Sequence, residues 1–123
     1  MRDALLIAGT IAAATKQTRV YSADVLDLGA AQKLGYVDVV AKFKLGEAVA
    51  TGDSYVFEVY DSADNSTFAK CGESAAITSG AAGDIFSVAV KGVRRYVKLA
   101  VYPDSSGTLD AQDIESWVDF DFD

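Results

Sequence analysis

The side chains able to do chemistry in this 123-residue chain are mostly carboxylates, and histidine is absent. The commonest general acid–base and the commonest metal ligand are therefore missing, so an enzyme would have to work with carboxylates, Lys, Tyr or Ser. Asp119, Asp121 and Asp123 alternate near the C-terminus. In a strand, residues two apart stand ~6.5–7 Å apart along the backbone, wider than one calcium ion's shared shell prefers. Asp61, Asp64 and Asn65 form a second cluster, but their spacing does not follow the calcium loop with its distal Glu. A turn braced by its own side chains accounts for it.

No serine has a histidine to activate it, and no Gly-x-Ser-x-Gly elbow or Gly-rich phosphate loop occurs. Cys71 is the single cysteine, which excludes an intramolecular disulfide and four-thiolate zinc sites. The residues thus argue against an enzyme, a cofactor and a metal site. With 18 acidic against 11 basic residues, a net charge of −7 argues against nucleic acid, whose phosphates need a basic patch.

Apolar residues make up half of the chain, and six Tyr, six Phe and one Trp allow a single packed core. Residues 4–14 (ALLIAGTIAAA) have the length of a signal-peptide core. Asp3 offsets Arg2, however, and Gly9-Thr10 interrupts the run. Residues 1–18 are read instead as an N-terminal arm or first strand, with a single domain over 19–123. The apolar run is too short to cross a membrane as a helix.

From residue 19 onward the pattern has period two. In 36–45, Val37, Val39, Ala41, Phe43 and Leu45 share one face. In 54–60, Tyr55, Phe57 and Val59 oppose Val56, Glu58 and Tyr60. Residues 61–66 read as a polar connection and 67–71 as a short returning strand. Residues 72–84, with many Gly, Ala and Ser, make the loosest stretch. Segments 85–91 and 93–102 alternate again, as does 112–122. The acidic outer parity of 112–122 suits a sheet edge that resists further pairing. About seven to nine short strands predict an all-β, antiparallel, jelly-roll-like sandwich, with an eight-stranded barrel as the architectural competitor.

Parity also selects candidate contact residues. Tyr36, Tyr60, Tyr96, Tyr102 and Trp117 fall on outer faces, as a contact surface or a second buried face would require. Arg95 falls on the apolar parity with Val93, Val97 and Leu99. It must therefore stand at a strand end, near a carboxylate or a subunit boundary.

Three stretches carry a family resemblance. They are Tyr21-Ser22 with Val25-Leu26-Asp27-Leu28-Gly29, then Asp61-Ser62-Ala63-Asp64-Asn65-Ser66-Thr67-Phe68, then Arg95-Tyr96-Val97-Lys98-Leu99. In this order they resemble the small capsid cement, or decoration, proteins of tailed bacteriophages, the Bordetella-phage type in particular. The resemblance runs from about residue 18 to 110. It implies a jelly-roll-like domain made in the host cytoplasm and carried on the exterior of the virion capsid. It further implies that the domain binds the major capsid (coat) protein and itself, a homodimer ahead of a homotrimer, and cements the lattice.

The same turn and strand also resemble discoidin-like carbohydrate- or lipid-binding sandwiches, which would imply a module attaching to host or mucosal glycans. Here Phe68 stands where a Trp is common in that family, and its terminal Cys pair is missing.

Overall fold

The structure, a computed structural model, describes residues 7–28, 37–105, 109 and 111–120. Nine strands are defined among them: β1 (Ile7–Ala13), β2 (Val20–Tyr21), β3 (Leu26–Asp27), β4 (Val37–Lys44), β5 (Tyr55–Ser62), β6 (Ala69–Glu73), β7 (Ile85–Val93), β8 (Tyr96–Pro103) and β9 (Gln112–Phe120). They form two antiparallel sheets. The first has the order β1-β9-β4-β7; the second has β2-β8-β5-β6, with β3 also pairing β8. The chain passes back and forth between the sheets in a jelly-roll-like path. No ladder among the described residues joins one sheet to the other, so the architecture is a sandwich and not a closed barrel.

The alternating residues build the core as their period requires. Val39, Ala41, Phe43 and Leu45 from the first sheet face Tyr55, Phe57, Val59, Val97, Leu99 and Val101 from the second, and all are buried. Phe43 and Phe57 stack across the sheets at 4.8 Å between ring centroids, and Phe86 tilts against Phe57 at 5.5 Å. Each such side chain contributes about 1.5–3 kcal/mol by leaving water.

Residues 7–13 of the N-terminal run form a strand. β1 pairs with β9, Ile11 opposite Ile114, and buries Ala8, Ile11 and Ala13 completely. The ladder shifts register between Ile7 and Gly9. Gly9 takes φ +97°, and a Cβ there would stand 2.9 Å from the Ala23 Cβ. Glycine is thus what admits the bulge.

Two details differ from the sequence reading. β9 lies inside its sheet, between β1 and β4, so its acidic outer residues do not guard an edge. Glu115 points to the outer surface while its backbone is paired on both sides, to Thr10 of β1 and Lys44 of β4. β5 runs on through Asp61 and Ser62, both buried, and the corner begins at residue 63. Asp61 leaves the turn because Arg94 claims it: the Arg94 backbone N–H and Nη2 each donate to its carboxylate at 2.9 Å.

The corner itself is braced by Asp64, whose Oδ1 accepts from the Ser62 hydroxyl and from the backbone N–H groups of Ser66 and Thr67 at 2.8–3.0 Å. Asn65 takes φ +59° to complete it. Of residues 72–84, Gly72 and Glu73 belong to β6, and Ile77 forms an isolated bridge to Tyr55.

Candidate functional site

The outer face of the second sheet is where polar and aromatic side chains converge. Along β8 the outward parity carries Tyr96, Lys98, Ala100 and Tyr102; along β5 it carries Val56, Glu58 and Tyr60. Register sets them side by side, with Tyr60 opposite Lys98, Glu58 opposite Ala100, and Val56 opposite Tyr102. On the other flank of β8, Tyr21 of β2 pairs with Ala100, which brings its ring to the same face. From the link between β1 and β2, Arg19 reaches across β8 to β5.

Glu58 is the centre of this face. It is 2% exposed although it sits on the outward parity. The Arg19 Nε donates to its Oε1, and Arg19 Nη2 donates to its Oε2 at 3.1 Å. Lys70 Nζ reaches Oε2 at 3.5 Å, and the Tyr60 hydroxyl donates to Oε1 at 3.3 Å. A buried carboxylate tolerates its desolvation only with such partners.

Aromatic rings surround the cluster. The Arg19 guanidinium lies 4.9 Å from the Tyr102 ring centroid and 5.9 Å from that of Tyr60. Tyr21 meets Tyr60 edge to face at 5.4 Å. Lys98 Nζ sits between Tyr21 and Phe68, 4.1 and 4.4 Å from their centroids. Burial, and after it the Glu58 charge, raises the Tyr60 phenol well above its ordinary 10.0. The hydrogen bonds to Glu58 raise Arg19 further still, so its charge is permanent.

Of the five outer aromatics chosen from sequence, Tyr60, Tyr96 and Tyr102 share this face and are half-buried. Trp117 is a correction. It lies on the other sheet and is only 6% exposed, flanked in register by Ile7 and Lys42, so it offers no contact surface. Tyr36 lies outside the described residues.

Arg95 stands in the break between β7 and β8 and pairs with Asp27 at 2.8 and 3.0 Å, with Tyr96 beneath it at 5.0 Å. The sequence reading missed Arg19, Tyr21 and Glu58 as a group. They come from distant segments, and nothing in local spacing joins position 19 to position 58.

Elsewhere the surface is plainer. An open groove of about 530 Å³ runs past Thr10, Lys44, Gly46, Asp113 and Glu115 on the first sheet, without an aromatic side chain. Among the described residues, no three His, Cys, Asp or Glu come together in a way that could hold a metal ion. Burial pushes the half-buried Cys71 thiol up to about 12, with the Asp61 charge acting in the same direction. At neutral pH it is a protonated donor to the Val59 carbonyl and a poor nucleophile.

No protein-family model matches the chain, and no curated protein matches it. Among solved structures the chain is similar to the Clostridium thermocellum N-terminal endo-1,4-beta-D-xylanase 10B, solved as its CBM22-1 and GH10 modules with xylohexaose. The identity is 11% and the TM-score 0.46, over 99% of this chain and 28% of that one. The chain thus spans little more than a quarter of that protein's length, and a likeness this distant carries no argument about ligand or activity.

Proposed function

We propose that this chain is a non-catalytic structural virion protein. In this reading it binds the outer surface of a tailed-phage capsid as a homo-oligomer and cements the coat-protein lattice. The observation that carries the reading is the outer face of the second sheet. It is broad and rigid, and it presents Tyr21, Tyr60, Tyr96 and Tyr102 together with Arg19, Lys98 and Arg95. Tyr and Arg are the side chains enriched where proteins meet proteins. The ion pairs and ring contacts hold them in place beforehand, which lowers the entropy lost on docking.

A cement protein needs a stiff domain and several weak contacts at lattice spacing, and linking such contacts in one oligomer raises avidity by ~10²–10⁴. The partners in this reading are the major capsid protein and a second copy of the chain, as a dimer ahead of a trimer. The protein is made in the host cytoplasm and resides on the capsid exterior.

The glycan-binding alternative asks for ring faces open to a sugar. Here the chain's own cations occupy them: Arg19 lies over Tyr60 and Tyr102, and Lys98 lies over Tyr21 and Phe68. Mass spectrometry of purified particles decides the matter, with copy number measured against the coat protein. A fixed stoichiometry, together with a dimer or trimer in solution, supports cementing. A monomer absent from particles that binds a glycan saturably would replace it. Tyr96→Ala is expected to lower the solution mass if this face also joins the copies.

A further inference from the structure

Three cations on the outer face of the second sheet can be followed to their counter-charges. Arg19 is held by Glu58, Lys70 by Glu58 and Glu73, and Arg95 by Asp27. Lys98 differs from them. Its ammonium sits between the rings of Tyr21 and Phe68, and it forms no ion pair with any carboxylate among the described residues. This cation lies at the middle of the face, on β8 opposite Tyr60, in a chain whose net charge is −7.

An ammonium has three N–H donors and no acceptor. The ring faces attract its charge but take up none of its hydrogen bonds in full, so the donors turned to solvent remain available. The two rings also fix the long side chain, which is otherwise costly to order at an interface. The outer face of the first sheet has a different character. There Lys44 lies beside Glu115 and Lys91 beside Asp38; Lys42 also forms no ion pair with a carboxylate among the described residues, but no pair of rings among them holds its ammonium as Tyr21 and Phe68 hold that of Lys98.

We propose that Lys98 is the anion-receiving point of a docking face whose partner is an acidic protein surface. A carboxylate on that surface meets the ring-held ammonium, with Tyr21, Phe68 and the neighbouring Tyr60 around the contact. The inference rests on the decoration reading and makes the carboxylate-bearing partner the coat protein. Charge complementarity argues for it: on this face Lys98 is the cation left without a carboxylate among the described residues, so a partner that brings one gains an ion pair to an ammonium already held in place.

The test measures binding of the full chain to shells of the encoding phage prepared without it, across a range of sodium chloride concentrations. Wild-type affinity is expected to fall with salt. Lys98→Met keeps an apolar stem between the rings, and it is expected to bind roughly fivefold more weakly at low salt, with a flatter salt dependence. Lys98→Arg keeps the charge and is expected to retain most of the wild-type salt dependence. Lys91→Met removes an equal charge from the other sheet and is expected to bind as wild type.

If Lys98→Met binds like Lys91→Met, this inference is overturned and the decoration reading stands. If the wild-type chain does not bind shells at any salt, both fall. A parallel titration uses a hyaluronan oligosaccharide as the probe. Saturable binding that Lys98→Met abolishes would overturn the protein partner in favour of an acidic glycan.

Discussion

Arg19 and Glu58 form a two-pronged ion pair on an outward face, yet the carboxylate is 2% exposed while the guanidinium side chain keeps 34% of its surface in water. The two partners therefore depend on each other unequally. Removing the arginine strands a carboxylate among Tyr60, Lys70 and the sheet. Removing the carboxylate leaves a guanidinium that water can still reach.

Accordingly, Arg19→Ala is expected to cost about 2–3 kcal/mol of stability, and Glu58→Gln about 1 kcal/mol. Urea denaturation midpoints of the two variants measure the difference. Equal losses would mean that Lys70 alone can satisfy the buried carboxylate.

Tyr60 should remain a neutral phenol after the exposed tyrosines have ionised, because burial and Glu58 both oppose its anion. A folded pKa raised above the unfolded value of about 10 stabilises the fold fully below pH 10. That contribution is lost as pH rises further, since only the unfolded chain then releases the proton. An ultraviolet phenolate titration should show Tyr60 among the late tyrosines beside the core residue Tyr55, and Tyr60→Phe should reduce that late class by one. Glu58→Gln should bring the Tyr60 midpoint down toward the others.

Asp64 shifts in the opposite direction. The Thr67 amide, the Ser62 hydroxyl and the Ser66 amide all donate to it and hold its carboxyl at about 2, below the ordinary 3.8. Its contribution is therefore present above pH 3.8 and lost as pH falls toward 2. The stability gap between wild type and Asp64→Ala should shrink across that window, and a carbon-detected carboxyl titration should place the midpoint near 2. A midpoint near 4 would mean that the corner is not braced in solution.

β1 belongs to the folded core. A truncation that removes residues 2–16 takes away Ala8, Ile11 and Ala13, all fully buried, and leaves β9 unpaired on one side. It is expected to unfold the domain, contrary to what a free arm would permit. Ile11→Ala alone is expected to cost about 2–5 kcal/mol, read from thermal or urea unfolding.

Gly72 is a packing glycine. A Cβ added there would stand 2.6 Å from the Val90 Cγ2 on the facing sheet. Gly72→Val is expected to destabilise by about 1–3 kcal/mol through overpacking. Gly72→Val combined with Val90→Ala should recover part of the loss, and the double-mutant cycle measures the coupling.

The strands and their inner faces were legible because alternation reports burial directly. Val39, Ala41, Phe43 and Leu45 lie where period two puts them, as do Tyr55, Phe57 and Val59. The position of a strand within its sheet was not legible, since acidic outer residues mark exposure of side chains and not of backbone. For that reason β9 read as an edge although it is internal.

The aromatic outer face of the second sheet was half legible. Tyr60, Tyr96 and Tyr102 follow from parity, whereas Trp117 shares that outward parity and is nevertheless covered. Glu58 looked like an ordinary solvent-facing acid in its strand. Its burial depends on Arg19, which is 39 residues away in the chain.

The pairing of β1 with β9 sets the timing of folding during synthesis. Ile11 finds its partner Ile114 only after more than a hundred further residues have been made. Until the ribosome has delivered the last strand, the first sheet lacks the strand that joins β1 to β4, and an apolar segment must wait without its ladder. Such long-range closure slows folding and prolongs the time for which apolar surface and unpaired strand edges are exposed. It also keeps the finished sandwich, with the outer face of its second sheet, from appearing before β9 has been made.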